Sequence, residues 1–229
     1  MIEQPDFTGR YALIAGCCDD LTEAVARSFA RAGGAGLVLS GLALERGQTL
    51  AAIMSAAGCD AHMVPADLTR AEDCTAILAK AEQAFGRLDL LIFTGVAADD
   101  EPVLAASPEV IDHTMAGGVR AALLLMQGAA ALMCRMRIPG ALLTVLGSAG
   151  AAPSIGAACE GALATMTESF AAALAGNQIR VLALIMPHGS VRPDPGEIAR
   201  ALLRLAADAS QLTSGAIVPM ETLTASAAA

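Results

Sequence analysis

The sequence predicts a single α/β domain spanning residues 1–229: a doubly wound, seven-stranded parallel sheet flanked by helices. Three observations lead there. Short apolar runs of strand character alternate with segments whose apolar residues recur every three or four positions. The links between them are short, and no Ser/Pro/Gly-rich linker divides the chain. Finally, 229 residues, 55% apolar and 16% charged, suffice for one large buried core.

Taken in order, Arg10 to Ala15 is the first strand signal, followed by a polar turn from Gly16 to Asp20. Leu21, Val25 and Phe29 then recur at helical spacing, with Asp20 as the expected N-cap and Gly33-Gly34 as the stop. Gly36 to Ser40 is the second strand. Leu50, Ile53, Met54 and Ala57 stripe a helix that ends at Gly58. His62 to Pro65 is the third strand. Thr69 is the expected cap of a helix whose buried face is Cys74, Ile77, Leu78, Ala81 and Phe85. Leu88 to Phe93 is a continuous apolar strand, the kind buried on both faces.

The second half repeats the alternation. Ser107-Pro108 opens a helix with proline in its first turn, and a separate long helix is expected from Gly118 to Arg137. Strand Ala141–Leu146, helix Ile155–Ala175, strand Arg180–Ile185, helix Glu197–Ala207 and strand Ala216–Val218 complete the pattern. The tail, Thr224 to Ala229, is small and polar.

Composition narrows the function. A formal charge of −9 argues against a polyphosphate partner, so no nucleic acid is expected. The six cysteines show no C-x-x-C spacing and no nearby histidine, so no metal site is expected. The longest apolar stretch, Ala121 to Cys134, is shorter than the ~18–20 residues of a membrane span, so no membrane is expected. Met1 to Gly9 carries acids and a proline and does not read as a signal peptide; a reducing cytoplasm is the expected compartment. The mean hydropathy of +0.57 is high for a lone soluble chain, so part of its surface is expected to face another subunit. One Tyr (Tyr11), one Lys (Lys80) and one Asn (Asn177) are the whole supply of those groups.

Seven phrases in order carry a family resemblance over about residues 7–221. They are ALIAG at Ala12–Gly16, PADLT at Pro65–Thr69, FGRLDLLI at Phe85–Ile92, SPEVIDHTM at Ser107–Met115, GALATMTESFAAAL at Gly161–Leu174, IRVLALIMPHG at Ile179–Gly189 and SGAIVP at Ser214–Pro219. In these the chain resembles the short-chain dehydrogenase/reductase family, which implies a Rossmann-like sheet, a nicotinamide cofactor and a Tyr-Lys-Ser-Asn catalytic set.

Residue by residue, the functional part of that resemblance falls away. The family's phosphate loop, T-G-x-x-x-G-x-G, lets the backbone approach the pyrophosphate at a helix N-terminus. Here it reads Ala15-Gly16-Cys17-Cys18-Asp19-Asp20-Leu21-Thr22, with one glycine left and two acids added. A like charge at about 4 Å costs ~4 kcal/mol at an effective dielectric near 20. After the second strand, Ser40-Gly41-Leu42 offers neither the acid nor the arginine that reads the ribose. Asp67 stands at the adenine position, though Asp-Leu-Thr also serves as a turn. The family's N-N-A-G becomes Phe93-Thr94-Gly95-Val96.

The catalytic set fares no better. Counted back from Gly161, the Lys position is Glu160 and the Tyr position Gly156; the Asn position is Gly118, and the Ser position Gly147 or Ser148. Tyr11 at the start of the first strand, Lys80 mid-helix and Asn177 in a turn are not placed to substitute. Ser148 lacks a G-x-S-x-G context, His188 follows Pro187 in a loop, and His62 and His113 are isolated. Between His188-Gly189 and Glu197 only about seven residues, Ser190 to Gly196, stand where the family has a substrate lid.

These losses predict no catalytic, cofactor-binding or metal residues in the chain, and a non-catalytic subunit that assembles with an active paralogue, NAD being bound by the partner. What the family uses for assembly remains apolar: Val119, Leu123, Leu124, Leu125, Met126, Leu132 and Met133, then Leu163, Met166, Phe170 and Leu174. In sequence alone the same residues also fit an ordinary core. Two other readings stay open. One is a ligand-binding regulatory homo-oligomer whose pocket is lined by Thr22, Ser40, Asp67, Thr94 and Ser148. The other is a divergent NAD(P)-dependent oxidoreductase; residual nucleotide binding through Gly16 and Asp67 also stays open.

Overall fold

The computed structural model describes residues 5–16, 19–95, 101–147, 153–187, 193–207 and 212–225. Seven strands form one sheet: β1 (Tyr11–Ala15), β2 (Gly36–Gly41), β3 (Asp60–Pro65), β4 (Leu90–Phe93), β5 (Gly140–Leu146), β6 (Ile179–Ile185) and β7 (Ile217–Pro219). Their order is β3-β2-β1-β4-β5-β6-β7, and every pairing is parallel. The helices are α1 (Asp20–Arg31), α2 (Leu44–Ala56), α3 (Ala71–Phe85), α4 (Pro108–Met115), α5 (Ala121–Met136), α6 (Ile155–Ala173), α7 (Pro195–Ala207) and α8 (Met220–Ala225).

Successive strand residues point to opposite faces, and each face has its own core. Ile14, Leu39, Ile92 and Leu143 pack on Val25 and Phe29 of α1, Met54 of α2 and Leu202 of α7. Leu13, Val38, Leu91 and Leu142 pack on Ile77 of α3, Leu125 and Met133 of α5 and Leu163 of α6. The strand order reverses between β1 and β4, which puts the ligand crevice of such a sheet at their carboxyl ends.

The structure corrects several local expectations. Asp19, not Asp20, is the N-cap of α1: its Oδ1 accepts from the Thr22 backbone N–H (3.0 Å) and the Thr22 hydroxyl (3.1 Å). Thr69 caps nothing, because its N–H and hydroxyl both donate to Asp67 Oδ1; α3 starts at Ala71 with Arg70 in the cap position. Ser107 caps α4 with Pro108 in the first turn, as expected, and Ser154 caps α6.

The two helices expected around Gly118 are one continuous run of 29 residues, Pro108–Met136, joined by a π turn at Ala116–Arg120. By length and composition this run could cross a membrane, but half of its most apolar window is buried in the fold. Much of the apolar material read as interface is core: Leu125, Met126, Leu132, Met133 and Leu163 are buried, while Leu123 remains 44% exposed.

Candidate functional site: the carboxyl edge of the sheet

Gly16, directly after β1, keeps its place for a reason internal to the chain. A Cβ built on it would stand 1.8 Å from Thr94 Oγ1 and 3.2 Å from Thr94 Cβ. The Thr94 hydroxyl donates to the Ala15 carbonyl at 3.3 Å, across the switch point between β1 and β4. The close approach that a phosphate loop reserves for pyrophosphate is therefore used, at this glycine, by a threonine side chain.

At the N-terminus of α1 the orphan N–H groups and the helix dipole favour an anion, and the chain supplies its own. Asp19 takes the cap, and Thr22, fully buried where the loop's third glycine would be, is its partner. Asp20 follows in the first turn and pairs with Arg46 of α2, whose guanidinium also reaches Glu23 at 3.2 Å. Glu23 is held below the usual glutamate range by the Arg27 and Arg46 hydrogen bonds. Asp20 is 79% exposed and shares its charge with Arg46. Its repulsion toward a phosphate therefore falls below the ~4 kcal/mol of an effective dielectric near 20, toward the ~1 kcal/mol of bulk water. The sequence reading missed Arg46, which lies four residues beyond the ribose position; an arginine at the start of α2 facing the acids of α1 was the available signal.

On the adenine side only Asp67 is engaged. Leu42 is 74% exposed. Asp67 Oδ1 accepts from the Thr69 hydroxyl (2.7 Å) and N–H (2.9 Å), and these bonds, the hydroxyl first, lower the Asp67 pKa. Ser40 is buried with its hydroxyl unpaired.

Of the expected catalytic positions, the Asn position stands against the helix that carries the Tyr and Lys positions, without the groups that would act. Gly118 lies within the π turn, and a Cβ on it would meet Cys159 of α6 at 3.7 Å. Gly156 and Glu160 lie on the same helix α6. The Cys159 thiol contacts Met115 Sδ at 3.7 Å, and burial raises its pKa, with Glu160 adding to the shift. Gly147 follows β5 with φ +89°. Ser148, His188, Val96, Cys17, Cys18 and Ser190 to Arg192 lie outside the described residues.

None of the three unique residues reaches this edge. Tyr11 is at the amino end of β1, its ring 4.9 Å from Phe85. Lys80 is half-buried on α3, and Asn177 is exposed before β6. His62 pairs with Asp60 at 3.2 Å on β3. Among the described residues no group of acidic, Cys and His side chains could hold a metal.

A cavity of about 470 Å³ opens at the opposite edge, by the amino ends of β4, β5 and β6. Its charged walls are committed internally. Asp89, buried, accepts from Arg10 (3.2 Å), Arg87 and the Tyr11 N–H (2.9 Å), and Arg180 donates to the Leu205 and Ala206 carbonyls at the end of α7. Sequence reasoning passed over Asp89, which stood only as one letter in FGRLDLLI.

The short chain dehydrogenase profile matches residues 10–191, well over half of the chain. The chain belongs to the short-chain dehydrogenase family. Among solved structures, a short-chain type dehydrogenase/reductase from Mycobacterium marinum aligns with TM-score 0.85 and 21% identity, over 93% of this chain and 94% of that one. A short chain dehydrogenase from Mycobacterium smegmatis aligns with TM-score 0.84 and 19% identity, over 95% of each. The 3-ketoacyl-(acyl-carrier-protein) reductase from Brucella melitensis, solved with NADH, aligns with TM-score 0.83 and 21% identity, over 93% and 97%. These likenesses, all below 25% identity, establish the Rossmann-like fold. No curated protein matches the sequence.

Proposed function

We propose that the chain is a non-catalytic short-chain dehydrogenase-like subunit that assembles with a catalytically active paralogue, as a cytoplasmic heterotetramer, and supports that partner's NAD-dependent activity. The observation that carries the reading is the N-terminus of α1. Its anion site is taken by the Asp19 carboxylate and followed by Asp20, so the residues present do not fit a dinucleotide pyrophosphate. Glycine at both Gly118 and Gly156 leaves the proton-transfer positions without a side chain.

The assembly half of the reading rests on the outer faces of α5 and α6. From Ala121 to Cys134 α5 carries no charge, yet Leu123, Gln127 and Ala131 are exposed. On α6 the exposed Ala158, Gly161, Thr165, Ser169 and Ala172 offer small side chains that let another helix approach closely. Apart from the exposed Glu168 and the half-buried Glu160 of α6, these stretches of the helix pair are uncharged, which suits a protein partner. The C-terminal segment, Met220 to Ala229, is proposed to support the partner's pocket. In its pattern of losses the chain resembles the inactive subunit of the heterotetrameric 2-[hydroxy(phenyl)methyl]succinyl-CoA dehydrogenase of anaerobic toluene degradation.

Co-expression with a paralogue that retains the full glycine loop and the Tyr-Lys pair tests this. A stable complex is expected, with dehydrogenase activity that falls when this chain is withheld. Two separate, homogeneous homo-oligomers, the paralogue fully active alone, would contradict it.

A further inference from the structure

The 29-residue helical run contains one residue too many for an uninterrupted α-helix, and the π turn at Ala116–Arg120 absorbs it. The extra residue sets α4 out of phase with α5 by one position, about 100° of rotation. Two neighbouring side chains on α4 are ill placed in this register. Thr114 is 9% exposed and its hydroxyl has no hydrogen-bond partner, whereas the larger, apolar Met115 beside it is 37% exposed. The turn itself contains Gly117 and Gly118, whose backbones change conformation at little steric cost. Downstream the run is fixed: Arg120 donates to the Thr69 carbonyl, and Ala121, Ala122 and Leu125 are fully buried.

We propose that the π turn is a register switch, with a second packing of α4 reached when the extra residue leaves through the N-terminal end of α4. Each residue of α4 then takes the place now held by the one before it, a turn of about 100° and an advance of ~1.5 Å. Met115 fills the buried place of Thr114, giving up its contact with the Cys159 thiol. Thr114 moves to the exposed place of His113, where water satisfies its hydroxyl. Against these gains, Asp112 enters the half-buried place of Ile111, and Val110 moves to the exposed place of Glu109. Apolar and polar burial change in both directions, which is what a two-state element requires.

The motion has somewhere to act. The chain just before α4 pairs with the start of α6 through the Pro102–Ser154 bridge and the Val103 N–H to Pro153 carbonyl bond, 3.2 Å. These lie beside the carboxyl ends of β4 and β5, so the switch reshapes the mouth of the crevice.

Methyl NMR of the full-length chain, labelled at the methionine methyls and with Met115 assigned through Met115→Leu, tests the proposal. Met115 is expected to show microsecond-to-millisecond exchange or a second resonance, while Met54 and Met63, on the far side of the sheet, stay flat. Thr114→Val keeps the shape of the present register and removes the unpaired hydroxyl. It is expected to lower the minor population about tenfold. Deleting Gly117 removes the extra residue with α4 left in its present register, so Met115 should keep its present exposed environment as a single resonance without exchange. A single Met115 resonance without exchange at every temperature below unfolding, unchanged in Thr114→Val, would overturn the switch.

Discussion

Replacing Gly16 by alanine asks whether the one surviving loop glycine is kept for a cofactor or for the chain. The added Cβ would lie 1.8 Å from Thr94 Oγ1, where ordinary contact needs about twice that separation, and 3.2 Å from Thr94 Cβ. The hydroxyl must swing away and lose its 3.3 Å bond to the Ala15 carbonyl, or β1 and β4 must move apart at the switch point. Overpacking of this kind costs about 1–3 kcal/mol. For a chain of this size that is roughly 2–12 °C of melting temperature, at 2–4 °C per kcal/mol. Thr94→Ala alone removes one long hydrogen bond and should cost under about 1 kcal/mol. In the double variant the clash with Oγ1 is gone, so Gly16→Ala should become cheaper by about 1 kcal/mol or more. Urea unfolding of the four proteins, at one protein concentration and without nucleotide, measures the coupling. Effects that add within about 0.5 kcal/mol would refute the reasoning, as would a Gly16→Ala protein as stable as the parent.

Other expectations follow from the same contacts. Asp89→Ala removes a buried acceptor shared by the Tyr11 N–H and the partly exposed Arg10 and Arg87, and should destabilise by about 1–3 kcal/mol, read by the same unfolding assay. Arg46→Ala removes only an exposed bridge and should change stability by less than about 1 kcal/mol. Hydrogen bonds from Thr69 hold the Asp67 pKa below its unfolded value. The stability they add is therefore complete above the unfolded pKa of about 4 and is lost as pH falls through the folded one. The gap between the parent and Thr69→Val should be present at neutral pH and vanish in acid; a gap independent of pH would contradict it. Burial raises the Cys59 pKa to about 11. This thiol should resist iodoacetamide at mildly alkaline pH until the protein unfolds, and prompt alkylation of the native chain would count against its burial.

The strands were legible because parallel strands buried on both faces are nearly uninterrupted apolar runs, as Leu37–Leu39 and Leu90–Phe93 are. Ser107-Pro108 was legible because a capping hydroxyl and a first-turn proline act locally. The α1 cap was misplaced by one residue, since Asp19 and Asp20 are chemically alike and only the Thr22 contact tells them apart. Thr69 failed as a cap because its hydroxyl had a nearer acceptor in Asp67. The join between α4 and α5 was hidden for a geometric reason: one extra residue in a π turn shifts the apolar stripe by about 100°, and a stripe that changes phase reads as two helices. At the candidate site, the absence of the expected side chains could be read directly. What fills the space was not, because Thr94 against Gly16 and Arg46 against Asp20 join residues far apart in the chain.

The central claim, that this chain does not itself carry the cofactor of its family, is tested most directly by titration calorimetry. NAD, NADH, NADP and NADPH would be titrated into the purified chain at concentrations that reveal a dissociation constant of ~100 μM, roughly −5.5 kcal/mol of binding. The account predicts no saturable heat with any of the four. Saturable one-to-one binding of either redox pair would contradict it, and would show that a pyrophosphate is accepted at α1 despite Asp19 and Asp20.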